Sequence, residues 1–115
     1  MAKKESYNCG FEVTLEVVGG KWKGLILWHL YEKGILRYGE LFKAIPDITQ
    51  KMLTQQLKEM EKNNLINRKV YNQIPPKVEY SLSEDGKKLG EIFILMKNWG
   101  VDYAEKNDIN VLCKL

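Results

Sequence analysis

The chain has 115 residues, 44% hydrophobic and 29% charged, with 18 Lys and Arg against 15 Asp and Glu for a net charge of +3. That balance excludes a disordered chain, and the length suffices to bury one core without a disulfide or metal. There is no run of the ~20 apolar residues a membrane helix needs, Met1-Ala2-Lys3-Lys4-Glu5 leads into no apolar signal core, and two Cys with one His are too few for a structural zinc site. We therefore expect a cytoplasmic protein without metal, cofactor or membrane partner. One domain is expected over 1–115, with 9–105 as its core and 106–115 as a tail.

Phe11, Leu15 and Val18 recur at helical spacing, and Gly19-Gly20 ends that first short helix. A second helix is predicted from Lys21 to Glu32. Trp22, Leu25, Ile26, Trp28, His29 and Leu30 surround it, so it should be a central core helix ending at Gly34. His29 is lone, and reads as a core histidine rather than a ligand. Ile35 to Tyr38 is short and extended, Gly39 to Ala44 a small helix with Leu41 and Phe42 inward, and Pro46-Asp47 a break.

Thr49 is a good N-cap for the most regular helix. Met52, Leu53, Leu57 and Met60 form its apolar stripe. Gln50, Lys51, Thr54, Gln55, Lys58 and Lys62 form the opposite face. Asn63-Asn64 ends it, because Asn tolerates the left-handed conformation. Leu65 to Tyr71 and Val78 to Leu82 read as two strands around the polar, proline-bearing loop 72–77. Ser83-Glu84-Asp85-Gly86 opens a long helix predicted from Glu84 to Glu105.

This order predicts a mainly α fold with a small β-hairpin wing, a helix-turn-helix followed by a wing. The charge supports it. Between Arg37 and Tyr80 lie eight cations and five acids, so the whole net charge of +3 falls in the helix-turn-helix and wing. The rest of the chain is neutral. The exposed helix face offers Gln, Thr and Lys, which donate to phosphates or base edges. No acid occurs between Ile48 and Gln56, where phosphate repulsion would penalise one. Glu59 is the one acid of that face, and Glu61 is less clearly placed.

Five strings in register carry a family resemblance: Gly19-Gly20-Lys21-Trp22, Arg37-Tyr38-Gly39-Glu40-Leu41, Ile48-Thr49 through Leu53 and Leu57, Pro75 through Ser83 to Gly86, and Cys9 in the N-terminal arm. The chain resembles the HxlR-type family of winged-helix transcription regulators, relatives of the MarR group. Two positions depart from the family pattern. Gly10 follows Cys9 where Pro is common, and Asn64-Leu65 stands where Gly-Leu is usual.

The resemblance implies that the helix from Thr49 to Lys62 enters the major groove of double-stranded DNA. Gln50, Lys51, Thr54 and Gln55 are then the base-edge candidates, Thr49 belongs to the same DNA-binding helix, and Lys58 is a phosphate contact. Gln pairs bidentately with adenine, and Thr touches the thymine methyl. Lys69, Asn72, Gln73 and Lys77 project from the wing toward backbone or minor groove. Arg37 has two equal readings: a phosphate contact, or a salt bridge to Glu40 or Glu79. Trp22, Trp28, Tyr31, Phe42, Tyr71 and Tyr80 read as packing.

The stripe Leu89, Ile92, Phe93, Met96, Trp99 and Tyr103 exceeds what one winged domain can cover. We expect a homodimer face completed by Phe11, Leu15 and the 109–112 tail. The family resemblance also implies a homodimer, reading a pseudo-palindromic operator. Lysines nearby and a helix start favour the thiolate of Cys9, and some family members sense oxidants or electrophiles through that Cys. A bridge from Cys9 to Cys113 of the other subunit is one expectation, two inert reduced thiols the other. A repressor fits the family best, with its effector unidentified. A protein–protein winged helix would have favoured acidic faces, and an enzyme would need a catalytic constellation that is missing from the sequence.

Overall fold

A computed structural model describes residues 5–112. Helix α1 spans Gly10–Val18 and α2 spans Trp22–Lys33. Strand β1 is Ile35–Arg37, α3 is Tyr38–Ala44, α4 is Gln50–Lys62, β2 is Ile66–Tyr71 and β3 is Lys77–Leu82. Helices α5, Glu84–Lys88, and α6, Gly90–Lys106, follow.

The core forms where helical periodicity predicts. Ile26, Leu27 and Leu30 of α2 meet Leu41 of α3, and Leu53, Leu57 and Met60 of α4. Ile45 and Ile48 are buried at the two ends of the turn joining α3 to α4, and Asp47 within it takes φ 70°. Thr49 caps α4 by accepting the Met52 N–H at 3.1 Å. Beyond its C-terminus Asn64 takes φ 60°, a conformation Asn enters at low cost.

Two elements differ from expectation. The wing belongs to a three-stranded antiparallel sheet of order β1-β3-β2. The segment read only as extended is its first strand, with Leu36 opposite Tyr80 and Arg37 opposite Glu79. The predicted single long helix is broken at Leu89. Two glycines flank the break where the chain packs closely. A β-carbon on Gly86 would strike the Leu65 carbonyl, and one on Gly90 would strike the Tyr31 ring. The chain lies against both obstacles one turn apart, and the Leu89 N–H bonds to the Gly86 carbonyl at 3.2 Å, a tight i→i−3 link. Ser83 starts this region by accepting the Gly86 N–H at 3.1 Å, while its hydroxyl donates to the Asn64 carbonyl at 2.7 Å.

The break divides the apolar stripe. Phe93 is buried and Leu89 packs against the same core, so both serve their own subunit and leave the predicted dimer face. Ile92, Leu95, Met96, Trp99 and Tyr103 stay exposed, with the Trp99 and Tyr103 rings stacked at 4.9 Å. Helix α1 buries none of its residues, and Phe11 is 70% exposed. His29 is half-buried on α2, and burial pushes its pKa below the ordinary value.

Candidate nucleic-acid interface

Helix α4 presents Thr49, Gln50, Lys51, Thr54, Gln55 and Lys58 to solvent together. They share a face because Leu53, Leu57 and Met60 hold the other side in the core. Glu59, the acid that the sequence left on the exposed face, turns to α2. The Lys23 ammonium donates to its Oε1 at 2.9 Å, with the lysine side chain only 6% exposed. This hydrogen bond holds the Glu59 carboxyl below the usual carboxylate range. The pair does two things: it anchors α4 to α2, and it takes the Glu59 charge off the presented face, leaving Glu61 as the exposed acid of the C-terminal turn.

A second anchor grips the N-terminal end of α4. The Tyr38 hydroxyl donates to the Gln50 carbonyl at 3.0 Å and lies 3.0 Å from the Thr54 hydroxyl. Thr54 thus has its oxygen engaged within the subunit. Neither Lys23 nor Tyr38 stood out in the sequence as a site residue. The only available signal was a lysine inside an otherwise apolar helix, since a buried ammonium requires a partner. We expect Tyr38→Phe to cost about 1 kcal/mol of DNA-binding free energy, about fivefold, while leaving the fold intact. Titration of labelled duplex followed by anisotropy, beside a circular dichroism melt, checks this.

Between α4 and the base of the wing lies a cleft of about 400 Å³, with Lys58, Arg68 and Glu61 among the residues that line it. Arg68 was absent from the sequence-based candidates because its orientation depends on the β2 register. The structure brings it beside Lys58.

The wing is less uniformly available than the sequence suggested. Lys77 forms a salt bridge with Glu79 at 3.3 Å and sits 4.6 Å from the centre of the Tyr71 ring. Its charge is therefore partly spent inside the subunit. Lys69 covers the same ring at 4.9 Å but has no carboxylate partner among the described residues. Asn72 and Gln73 are exposed at the tip. The Tyr71 hydroxyl donates to Glu79 at 2.7 Å, and this bond, ahead of Lys77, holds the Glu79 carboxyl below its ordinary range.

Those contacts bear on the two readings of Arg37. Glu40 accepts the Arg37 backbone N–H at 2.8 Å as part of the α3 cap, and Glu79 is taken by Tyr71 and Lys77. Among the described residues neither expected salt bridge forms at ion-pair distance, the guanidinium is exposed, and its charge still helps to lower the Glu79 carboxyl pKa. Cys9 is exposed as the N-cap residue of α1. Cys113 lies outside the described residues, and so does the geometry of any bridge to it.

A helix-turn-helix whose second helix is anchored at both ends, beside a β2–β3 wing with exposed cations, defines a winged helix-turn-helix protein. Residues 17–108 match the HxlR-like helix-turn-helix model, and the chain belongs to that family of transcriptional regulators. The uncharacterized HTH-type transcriptional regulator YtcD of Bacillus subtilis is 53% identical over 104 residues, spanning 90% of this chain and 82% of YtcD. The redox regulator HypR in its reduced form superposes with a TM-score of 0.81 at 45% identity, covering 87% of this chain and 98% of HypR. The reduced transcriptional regulator YodB from B. subtilis gives 0.71 at 37% identity, covering 87% of this chain and 98% of YodB. No helix among the described residues is long and apolar enough to cross a membrane.

Proposed function

We propose that this protein is a cytoplasmic, homodimeric repressor that binds a pseudo-palindromic operator in double-stranded DNA, with no enzymatic activity. The observation that carries this is the α4 face. Gln, Thr and Lys side chains stand together in solvent over residues 49–58, Glu59 is turned away onto Lys23, and the exposed acid Glu61 falls at the C-terminal end of the helix. Gln50, Lys51 and Gln55 read base edges. Thr49 and Thr54 contribute methyl contacts, and Lys58, Arg68 and Arg37 bind phosphate beside the groove. Lys69, Asn72 and Gln73 carry the wing contact, with Lys77 secondary. Two copies joined through α6 and α1 would set two recognition helices about one or two DNA turns apart.

Gel shifts on the region upstream of the protein's own gene test the reading. A specific regulator shifts that fragment and not scrambled DNA at moderate salt. Equal binding to both would leave only the sequence-independent phosphate attraction, and no binding to either would favour a protein-interaction module. Within the same assay, Lys58→Ala weakens binding to every sequence and lowers the salt slope by about one. Lys77→Ala changes the slope by less than half as much, because Glu79 already neutralises that charge.

We further propose that the DNA response is thiol-dependent through Cys9, whose thiol is exposed at the start of α1. The likeness to a redox regulator supports this. Diamide or a quinone should release wild-type protein from the operator, with Cys9→Ser unresponsive. An identical response from Cys9→Ser sinks the thiol reading and leaves the DNA reading standing.

A further inference from the structure

The tip of the wing holds an apolar side chain that its own subunit does not use. Ile74 is 100% exposed, midway along the loop 72–76 that joins β2 to β3. A single exposed isoleucine is ordinary on a protein surface, but the frame around this one is not. Pro75 and Pro76 follow it, each with a fixed φ and no N–H. Just before it, the Gln73 N–H donates to the Tyr71 carbonyl at 3.0 Å. The loop is therefore stiff, and it keeps Ile74 in solvent, where the side chain cannot fold back onto the sheet.

Charge separates the base of the wing from its tip. Arg68, Lys69 and Lys77 lie on the strands, while Asn72-Gln73-Ile74-Pro75-Pro76 has no charge. The Asn72 and Gln73 side chains are exposed and make no hydrogen bond among the described residues. Arg68 lines the same cleft as Lys58, so the base of the wing is the part that meets phosphate beside α4. From Arg68 to Tyr71 the strand advances about 10 Å, and the tip lies farther out. With α4 in a major groove about 12 Å wide, a contact that far past the phosphates falls on the neighbouring minor groove. A narrow minor groove attracts Arg and Lys through its negative potential, and this tip offers neither. It offers two amides and an apolar side chain, the combination that opens a minor groove at a deformable base step.

We infer that Ile74 is an apolar wedge that enters the minor groove flanking each half-site and partly unstacks a base step there, while Asn72 and Gln73 donate to the N3 and O2 acceptors of A·T pairs. This rests on the DNA reading proposed above and adds a second place where sequence is selected. The flank is selected by two physical terms. A TA step is among the easiest to open, and a G·C pair puts the guanine 2-amino group where the wedge enters.

The test uses full-length protein and the fragment upstream of its own gene, trimmed to the footprint left by hydroxyl radicals. The flank protected by the wing is then set to TA steps, to G·C pairs or to inosine·cytosine pairs. Inosine·cytosine presents the major-groove face of G·C without its minor-groove amino group. Wild type should bind the G·C flank about tenfold more weakly than the TA flank, and inosine·cytosine should recover most of that loss. Ile74→Ala, whose fold is checked by circular dichroism, should lose about fivefold on the TA flank, discriminate little among the three, and keep the wild-type salt slope, because no charge is removed. Permanganate reactivity of the flanking thymines, which reports unstacking, should rise with wild type and stay low with Ile74→Ala. Equal losses on G·C and inosine·cytosine would show that the flank is not read through the minor groove, and overturn the inference. Wild-type discrimination by Ile74→Ala, or thymines that stay unreactive under wild type, would overturn the wedge while the operator reading stands. A protein that binds operator and scrambled DNA alike fails the operator reading itself, and the inference falls with it.

Discussion

Leu53→Ala is expected to lower the unfolding free energy by about 2–5 kcal/mol. Leu53 is completely buried, in one cluster with Ile26, Leu41 and Leu57. Truncation leaves a cavity among α2, α3 and α4 that a close-packed interior fills only in part. Thermal unfolding by circular dichroism, at one fixed protein concentration because association shifts the midpoint, should show the midpoint fall by roughly 10 °C or more. DNA affinity falls in parallel, because the same side chain seats the recognition helix. A midpoint within about 2 °C of wild type would mean that α4 is not held by this core.

Gln55→Ala is expected to do the reverse. Gln55 is exposed and its side chain makes no hydrogen bond or ion pair among the described residues, so stability should change by less than about 0.5 kcal/mol. Binding to the correct operator should weaken by ~1–3 kcal/mol, with little change on scrambled DNA, because an adenine-reading pair contributes only where adenine is present. Parallel anisotropy titrations on the two duplexes decide it. Equal losses on both would show that Gln55 meets the backbone or nothing, and would move base reading to Gln50 and Lys51. The two variants lie two residues apart in sequence on opposite faces of α4. That contrast separates holding the helix from reading with it.

Much of this division was legible in the sequence. The apolar stripe of α4, its Thr49 cap and its Asn64 exit are local features, set within one or two turns by the 3.6-residue period and by which residues tolerate which dihedrals. The concentration of charge between Arg37 and Tyr80 needed only counting. The site's presented side chains were accordingly found: Gln50, Lys51, Thr54, Gln55 and Lys58 do share one exposed face.

What stayed hidden depends on partners distant in sequence. The destination of Glu59 required knowing that Lys23, 36 residues earlier, is buried across from it. Tyr38 became an anchor only when α3 was laid beside α4, 12 residues on. Likewise, β1 is a strand because β3 offers it a free edge, and a three-residue segment carries no signal strong enough to say so. The break at Leu89 also lies outside local propensity. Nothing in Leu89-Gly90 signals a turn, and the close approach of Gly86 to the Leu65 carbonyl and of Gly90 to the Tyr31 ring exists only in the folded chain.

The sequence by itself therefore determined most of the element types, the face of α4 that is offered, the location of the charge and the resemblance to a regulator family. Each follows from spacing and side-chain chemistry within a short window. Only the tertiary structure decided which charges remain available. Lys23 and Glu59 cancel each other, Lys77 is held by Glu79, and Arg37 and Arg68 are left without a carboxylate among the described residues. The physical reason is that charge–charge interactions depend on separation in space. The fold brings Lys23 and Glu59 to 2.9 Å while leaving Arg37 without the Glu40 and Glu79 carboxylates that lie close to it in sequence or sheet register.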